Sequence, residues 1–307
     1  MANLSAATRL WHQSTARGRR FLVREPYQPY FPAAESPGYD AFLNADGDPV
    51  KSEPRTRIVL LRRQATGTWE KTMRSFVLKI YRYPFLPRIR TGFRISKAER
   101  EFNGLRYINQ QGVPAAEPVA FGVERTRLGF VRSCFVITGF VERAINLSQW
   151  RSENSHQRHV DSGRNHLLLR QVGAMFRRLH EVRFFLFTAK TKNLLIRTDS
   201  DSAASPEIFF VDVPYARTLR WGPMARWAQR RDLGFFLGSF FPALTESERM
   251  SFYEGYLPDP LGGSATALRR HAQQAMWSKQ NLTPISALVH SLKRTLRHAW
   301  RSTERFR

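Results

Sequence analysis

The stretch Arg183–Arg197, RFFLFTAKTKNLLIR, sets a polar segment between two apolar runs. The runs FFLF and LLI predict two short buried strands. The polar residues 188–193, TAKTKN, interrupt both and predict a loop between the strands. The whole stretch directly follows HLLLRQVGAMFRRLHEV, whose apolar residues recur at helical spacing. The fold is therefore expected to place a helix, then a short strand, the polar loop and a second short strand. In a simpler interpretation, Asn193 is only a turn residue of a hairpin.

The remaining sequence divides into a strand-rich half and a helix-rich half. RTRIVLLRRQATGTWEKTMRSFVLKIYRY, from Arg55, predicts a β-hairpin, and SKAEREFNGLRYINQQG predicts a helix that ends at Gly112. Strand-like segments follow as far as Glu142, beyond which helical patterns dominate. We predict an α+β protein with four parts: an N-terminal extension, partly irregular (1–54), a small antiparallel lobe with one helix (55–142), a larger helical lobe (143–290) and a basic tail (291–307).

The charge of the chain indicates an anionic partner. Its 307 residues include 49 Lys+Arg and 25 Asp+Glu, a formal net charge of +24. Such a surface attracts nucleic acid, phosphorylated substrates or anionic membranes. No nucleic-acid-binding module accompanies the charge, so nucleic acid is not the expected partner. In Arg82–Lys97, aromatic and aliphatic side chains alternate with basic ones, which suits peripheral contact with an anionic membrane. The alternative for this segment is a loop folded onto the small lobe.

The sequence predicts a cytoplasmic protein. Cys134 is the single cysteine, so neither an intramolecular disulfide nor a multi-thiolate metal site can form. The longest nearly apolar run, LGFFLGSFFPAL, is too short to cross a bilayer. The N-terminus lacks the apolar segment of a secretory signal.

Four polar residues occur in the order that protein-kinase-like enzymes require. Lys79 lies in a predicted strand, Glu101 in the next helix, Asn193 in the polar loop and Asp212 after the strand IFFV. In such enzymes the lysine holds the nucleotide phosphates, the glutamate orients the lysine, and the asparagine and aspartate hold Mg²⁺. The order therefore predicts an ion pair between Lys79 and Glu101.

The polar loop matches a kinase catalytic loop, D-x-x-x-x-N, except at its first residue. Lys190 and Asn193 are in register with that pattern, whereas Thr188 stands where the aspartate base belongs. His180 fits the Leu-His pair that commonly closes the preceding helix in kinase-like folds, and we expect it to be packed rather than catalytic. Losing the base typically lowers turnover by about 10²–10⁴-fold.

Several segments resemble the lipopolysaccharide core kinase family, which comprises Kdo and heptose kinases. The resemblance covers roughly residues 55–257 and is carried by FVLKIYR, AEREFNGLRYINQQGVPAAEPVAFG, FVITGFV and RRDLGFFLGSFFPALTESERMSFYEGYL. It implies a two-lobed protein-kinase-like fold, the cofactors ATP and Mg²⁺, and phosphoryl transfer to an inner-core sugar. It also implies an anionic lipopolysaccharide precursor as partner, at the cytoplasmic face of the inner membrane.

Two function classes remain open at this stage. One is an active sugar kinase, and the other is a pseudokinase that binds nucleotide or glycolipid without efficient catalysis. The first requires an acid from elsewhere, such as Glu142 or Asp161, at the base position. No G-x-G-x-x-G is present, and Gly47 and Gly67 are the only glycines near the strands expected to cover the phosphates. We also expect Arg231 and Asp232 to form a structural ion pair.

Overall fold

The small lobe is built on one antiparallel sheet of seven strands. The computed structural model describes residues 10–15, 18–31, 38–66, 72–89, 91–92, 94–153, 162–197, 206–241 and 244–257, together with residues 266 and 270. The strand order across the sheet is β1-β2-β6-β7-β5-β4-β3. Its strands are β1 (Leu10–Thr15), β2 (Arg19–Arg24), β3 (Asp48–Glu53), β4 (Thr56–Gln64), β5 (Met73–Arg82), β6 (Pro118–Arg125) and β7 (Val131–Gly139).

The N-terminal region contributes three strands to this sheet, whereas the sequence analysis placed residues 1–54 in a partly irregular extension outside the small lobe. Strands β1 and β2 extend the sheet beyond β6, and β3 forms its opposite edge. A 3-10 helix (Glu25–Tyr30) and α1 (Gly38–Leu43) cover one face. Their aromatic side chains pack with Phe76 and Phe135 in a buried cluster. The burial of aromatic residues from distant segments stabilises strands that the local pattern does not reveal.

Helix α3 (Lys97–Gln110) packs on the other face of the sheet. The Ser96 hydroxyl caps it by accepting a hydrogen bond from the Glu99 amide at 3.1 Å. Successive side chains of β5 alternate between the two faces. Leu78 and Ile80 join the aromatic cluster, whereas Lys79 and Tyr81 point toward α3. This alternation aims the strand lysine at the helix that carries Glu101. The short helix α2 (Phe85–Ile89) lies between β5 and α3.

The large lobe is mainly helical, which agrees with the predicted plan. Two small sheets flank its helices, with the strand orders β11-β10-β8 and β12-β9. The apolar runs on either side of the polar loop become β9 and β10, as expected. The helices are α4 (Leu147–Glu153), α5 (Ser162–Glu181), α6 (Gly222–Phe240) and α7 (Glu246–Tyr256), and the strands are β8 (Ala144–Asn146), β9 (Phe184–Phe185), β10 (Leu194–Arg197), β11 (Ile208–Phe210) and β12 (Arg217–Thr218).

Helices α5 and α7 approach each other closely through two glycines. A Cβ atom added to Gly255 would overlap the carbonyl oxygen of Arg170, and one added to Gly173 would overlap that of Phe252. Only glycine permits backbones to come this near. A capping box of Thr245 and Glu248 begins α7. The glycine contact between α5 and α7 fixes α5. The C-terminal end of α5 leads through β9 into the polar loop.

Some predicted features fall outside the described residues. These include Gly67, Asp161 and the basic tail 291–307. Among the helices that the structure does describe, none is both long and apolar enough to cross a membrane.

Candidate active site

Lys79 connects the two lobes through two carboxylates. Its Nζ atom donates hydrogen bonds to Glu101 Oε1 at 2.7 Å and to Asp212 Oδ1 at 3.1 Å. Glu101 belongs to α3 of the small lobe, whereas Asp212 follows β11 of the large lobe. The Lys79–Glu101 ion pair predicted from the sequence is therefore confirmed. Asp212 lies at the same lysine, so three of the four predicted residues meet at one ammonium group.

Glu101 is the most deeply buried member of this group. Its side chain is 0% exposed and that of Lys79 is 13% exposed. The Tyr81 hydroxyl donates a second hydrogen bond, 3.0 Å long, to Glu101 Oε2. Burial and the nearby charge of Glu101 raise the pKa of Tyr81, so this phenol stays protonated and remains a donor. Both oxygens of the buried carboxylate thus have a partner, which holds the lysine in one position.

Asp212 is ionised and partly open to solvent. Burial alone would raise its pKa, but the positive charge of Lys79 outweighs that effect and holds the pKa below its usual value. Its side chain is 40% exposed. Asp212 also has a backbone φ of 56°, in the left-handed region that residues other than glycine rarely adopt. Such strain is found where the surrounding structure holds a functional side chain in place.

Burial also acts against the charge of Lys79, yet the net effect is opposite. Desolvation lowers the pKa of the ammonium group, but the charges of Glu101 and Asp212 outweigh it and the pKa is raised. Lys79 therefore carries a positive charge at neutral pH, as a phosphate-binding group requires.

Asn193 ties the polar loop to the Asp212 segment. Its Nδ2 atom donates to the carbonyl oxygens of Thr188 at 3.2 Å and Asp212 at 3.1 Å. Its backbone carbonyl accepts from the amide of Val211 at 2.9 Å. Asn193 is therefore more than the turn residue of a simple hairpin. Its carboxamide oxygen is the atom that remains to contact a metal ion.

Thr188 and Lys190 flank this anchored asparagine. Thr188 is half-buried, and the Lys190 side chain is exposed. Among the described residues, no carboxylate hydrogen-bonds to the Thr188 hydroxyl, and Glu142 is exposed and makes no contact of this kind. The substitute acid that an active kinase requires is therefore not hydrogen-bonded to Thr188 among the described residues, and Asp161, the other candidate, lies outside them.

Asp232 of α6 anchors the backbone just before the polar loop. Its two carboxylate oxygens accept from the amides of Leu186 and Phe187, each at 2.6 Å. His180 is fully buried beside it, with Nε2 3.5 Å from Asp232 and Nδ1 2.7 Å from the Tyr256 hydroxyl. His180 is packed in the core, as the sequence analysis expected.

The predicted Arg231–Asp232 ion pair is wrong. Arg231 is exposed and stacks on the rings of Trp227 and Phe235 instead. Adjacent helical residues point in different directions, so Asp232 faces the core while Arg231 faces solvent.

The turn that would cover the nucleotide phosphates contains no glycine. Ile58 of β4 lies opposite Lys79 in the sheet, which places the β3–β4 turn, at Pro54 and Arg55, just beyond the lysine. Gly47 precedes β3 and lies outside this turn. This turn therefore carries no glycine-rich loop, and the exposed Arg55 lies there instead.

Comparison with known proteins identifies the family. The model of the lipopolysaccharide kinase (Kdo/WaaP) family matches residues 45–256, more than half of the chain. The chain belongs to this lipopolysaccharide kinase family. No protein with a curated description matches it by sequence.

The solved structure of WaaP agrees on the fold. The structure of WaaP in complex with acyl carrier protein is similar with a TM-score of 0.62 and 20% sequence identity, over 83% of this chain and 98% of the WaaP chain. The PknI kinase domain of Mycobacterium tuberculosis, a double mutant, gives a TM-score of 0.42 and 11% identity, over 74% and 92% of the two chains. The likeness to WaaP establishes the α+β, two-lobed kinase-like fold that the sequence predicted.

Within this family fold, two lysines that the sequence did not single out lie near the centre. Lys97, the first residue of α3, stacks over the Tyr81 ring at 4.2 Å. Burial lowers its pKa, although Asp212 and Glu101 oppose the shift. Lys97 and Lys192 both help to lower the pKa of Asp212. Neither occupies a kinase motif position that the sequence analysis used, and only the tertiary fold brings them together.

The donor set at the centre fits a magnesium ion that also contacts phosphate. Asp212 offers an ionised carboxylate and Asn193 a carboxamide oxygen, and the two are joined by a hydrogen bond. Within the described ranges, no group of three His, Cys, Asp or Glu residues could hold a metal by itself. Mg²⁺ needs no such cage, because it commonly uses one or two protein oxygens together with substrate phosphates.

Proposed function

We propose that the protein binds Mg-ATP between its lobes and phosphorylates an inner-core sugar, Kdo or heptose, of a lipid-linked glycan at a rate limited by Thr188. The observation that carries this proposal is the meeting of Lys79, Glu101 and Asp212 at one ammonium group, with Asn193 bound to the backbone of both Thr188 and Asp212. Membership of a kinase family supports the use of a nucleotide.

Each residue of the centre then has a role in binding the nucleotide. Lys79, held by Glu101, binds the phosphates, while Asn193 and Asp212 hold Mg²⁺, which neutralises charge as it develops on the transferring group. Lys79 must release Asp212 for this, and the 40% exposure of Asp212 makes it accessible. Lys190, exposed and in the catalytic loop, neutralises the γ-phosphate.

Thr188 sets the rate of transfer. A threonine hydroxyl can position the acceptor hydroxyl but cannot take its proton as an anion does, and loss of a general base lowers turnover by roughly 10²–10⁴-fold. The absence of a carboxylate bound to Thr188, in the described part of the chain, favours a second candidate, a pseudokinase that binds nucleotide or glycolipid without efficient transfer.

Transfer of radiolabelled phosphate from ATP to lipid A carrying Kdo tests the proposal. We expect slow, Mg²⁺-dependent labelling by the native protein and none by Lys79→Met. Arg63→Ser removes an exposed arginine of β4 and serves as the control. ATP binding without any labelling would favour the pseudokinase. Absence of both binding and labelling would contradict the proposal.

The location proposed for the reaction is the cytoplasmic face of the inner membrane. The chain carries a net charge of +24. In the segment between β5 and α3, Phe85, Ile89 and Ile95 are exposed beside Arg88 and Arg94. Part of the segment is also folded onto the small lobe, since the Val131 amide donates to Thr91 Oγ1 at 2.9 Å. The two sequence interpretations of Arg82–Lys97 are therefore compatible.

Co-sedimentation with phosphatidylglycerol vesicles tests this membrane contact. The double variant Phe85→Ser/Ile89→Ser should sediment less than the native protein, because apolar anchors and basic residues act together at an anionic interface. The double variant Val50→Ser/Met73→Ser, at exposed positions of β3 and β5, is the matched control. Equal sedimentation of all three proteins would refute the membrane contact.

A further inference from the structure

We infer that the exposed side of helix α6 beside the Thr188 loop binds the acceptor through a sugar ring that carries a carboxylate or phosphate. This surface, here the α6 aromatic face, consists of Trp221, Met224 and Trp227 with the arginines around them. It follows one side of the first turns of α6, because residues three apart are neighbours on a helix. The inference rests on the proposed function and adds where on the protein the acceptor binds.

The α6 aromatic face is continuous with the catalytic loop. The ring of Trp227 lies 6.0 Å from that of Phe187, the residue before Thr188. The guanidinium of Arg217, on β12, stacks over Phe187 at 4.4 Å. Asp232, farther along α6, accepts from the Phe187 amide at 2.6 Å. A ligand on this face would therefore lie at a fixed distance from Thr188.

The surface is open to solvent. The segment that connects Asp212 to α6 is short and comprises only residues 213–221. Trp221 is 66% exposed and Trp227 is 47% exposed, and Met224 is also exposed. Exposed aromatic residues grouped beside a catalytic loop are typical of a binding surface.

The charge around these rings indicates the kind of ligand. Arg231 stacks over Trp227 at 5.5 Å. Further exposed arginines lie on β12, between β12 and α6, and along the first half of α6: Arg217, Arg220, Arg226 and Arg230. Among the described residues, no carboxylate lies within salt-bridge distance of these five side chains. A guanidinium group matches a carboxylate or phosphate with two parallel hydrogen bonds.

Both halves of the surface are used by a sugar that carries an anionic group. A neutral sugar would cover the tryptophans but leave the arginines without an anion. A free phosphate would pair with the arginines but leave the aromatic rings in water. A sugar acid or sugar phosphate presents a C–H face to the rings and an anionic group to the guanidinium groups. It also brings a hydroxyl to the loop that contains Thr188.

Binding of a soluble, deacylated oligosaccharide from lipid A carrying Kdo tests the inference by calorimetry. We expect Trp227→Ala and Arg231→Ser each to weaken binding at least tenfold. Mg-ATP affinity and the melting temperature of Arg231→Ser should stay unchanged, which shows that the fold and nucleotide site are intact. Arg63→Ser, an exposed arginine on β4, is the matched control.

The outcomes separate this inference from the proposed function. Oligosaccharide binding that depends on Trp227 and Arg231, with no Mg-ATP binding, would refute the proposed kinase but support the α6 aromatic face. Unchanged oligosaccharide affinity in both variants, or no binding by the native protein, would overturn the inference. Equal loss of phosphatidylglycerol vesicle binding in both variants, without a preference for the sugar acid, would assign the face to lipid headgroups and overturn it as well.

Discussion

Removing the Lys79 ammonium group should destabilise the protein mainly by leaving a buried charge on Glu101. In Lys79→Met, the Glu101 carboxylate, 0% exposed, keeps only the Tyr81 hydroxyl as partner. Breaking a buried ion pair by removing one member typically costs about 3–5 kcal/mol of the free energy of unfolding. Asp212 contributes little to this cost, because its side chain is 40% exposed and water solvates it.

Neutralising Glu101 as well should restore much of that loss. In Lys79→Met/Glu101→Gln no charge is buried, and the Gln carboxamide oxygen can still accept from Tyr81. We expect the double variant to be at least about 2 kcal/mol more stable than Lys79→Met, since coupling energies between contacting residues reach about 3 kcal/mol. Urea unfolding at pH 7, monitored by tryptophan fluorescence, measures both changes as long as the slope m is unchanged.

A solvent-exposed pair on the same sheet provides the control. Lys51 and Glu53 are 2.9 Å apart, with side chains 50% and 55% exposed. Lys51→Met should change the free energy of unfolding by less than about 1 kcal/mol. If the double variant is no more stable than Lys79→Met, or if Lys51→Met costs as much, the buried charge of Glu101 is not the cause and the reasoning fails.

Three further predictions concern the loop, the helix contact and the thiol. Thr188→Asp should raise turnover by about 10²-fold or more with little change in Mg-ATP affinity, because it supplies the missing base; equal rates in a phosphate-transfer assay would contradict this. Gly255→Ala should lower the free energy of unfolding by about 1–3 kcal/mol, because its Cβ would overlap the Arg170 carbonyl; an unchanged melting temperature would argue against the close α5–α7 contact. Burial raises the pKa of Cys134 to about 11, so maleimide labelling at pH 7.5 should be slow in the native protein and fast in urea, and equal rates would show an accessible thiol.

The pH dependence of stability follows from the centre as well. The folded-state pKa of Asp212 is lowered from its ordinary 3.8, so its contribution is present above that value and is lost as the pH falls through the lower folded pKa. The pKa of Lys79 is raised from 10.5, so its contribution is present below that value and is lost only as the pH rises beyond it. Both are therefore complete between about pH 5 and 9.

The sequence revealed residues whose strand or helix has a clear apolar pattern. Lys79 lies within β5 and Glu101 within α3, whereas Asn193 precedes β10 and Asp212 follows β11, and the chain order of these four residues matched them to one fold. The structure brings all four together. Thr188 likewise emerged from its spacing to Asn193.

What the sequence did not reveal depends on contacts between distant segments. Strands β1 to β3 were placed in a partly irregular extension because the proline- and glycine-rich sequence between them masks a sheet that buried aromatic residues stabilise. Asp232 was paired with its neighbour Arg231, since local order does not show that one side chain faces the core and the other faces solvent. Lys97 and Tyr81 become neighbours of Asp212 only when strand, helix and large lobe are assembled. The α6 aromatic face lacks any motif, because its function would depend on its position beside Phe187.

Calorimetric titration with ATP, in the presence and absence of Mg²⁺, tests the central claim most directly. The native protein should bind Mg-ATP with a dissociation constant in the micromolar to millimolar range, about −8 to −4 kcal/mol, and removal of Mg²⁺ should weaken binding at least about tenfold. In Asp212→Asn the dependence on Mg²⁺ should disappear, because the variant lacks the only carboxylate proposed to hold the ion. Nucleotide binding that is equally tight without Mg²⁺, or a Mg²⁺ dependence that survives in Asp212→Asn, would contradict the account.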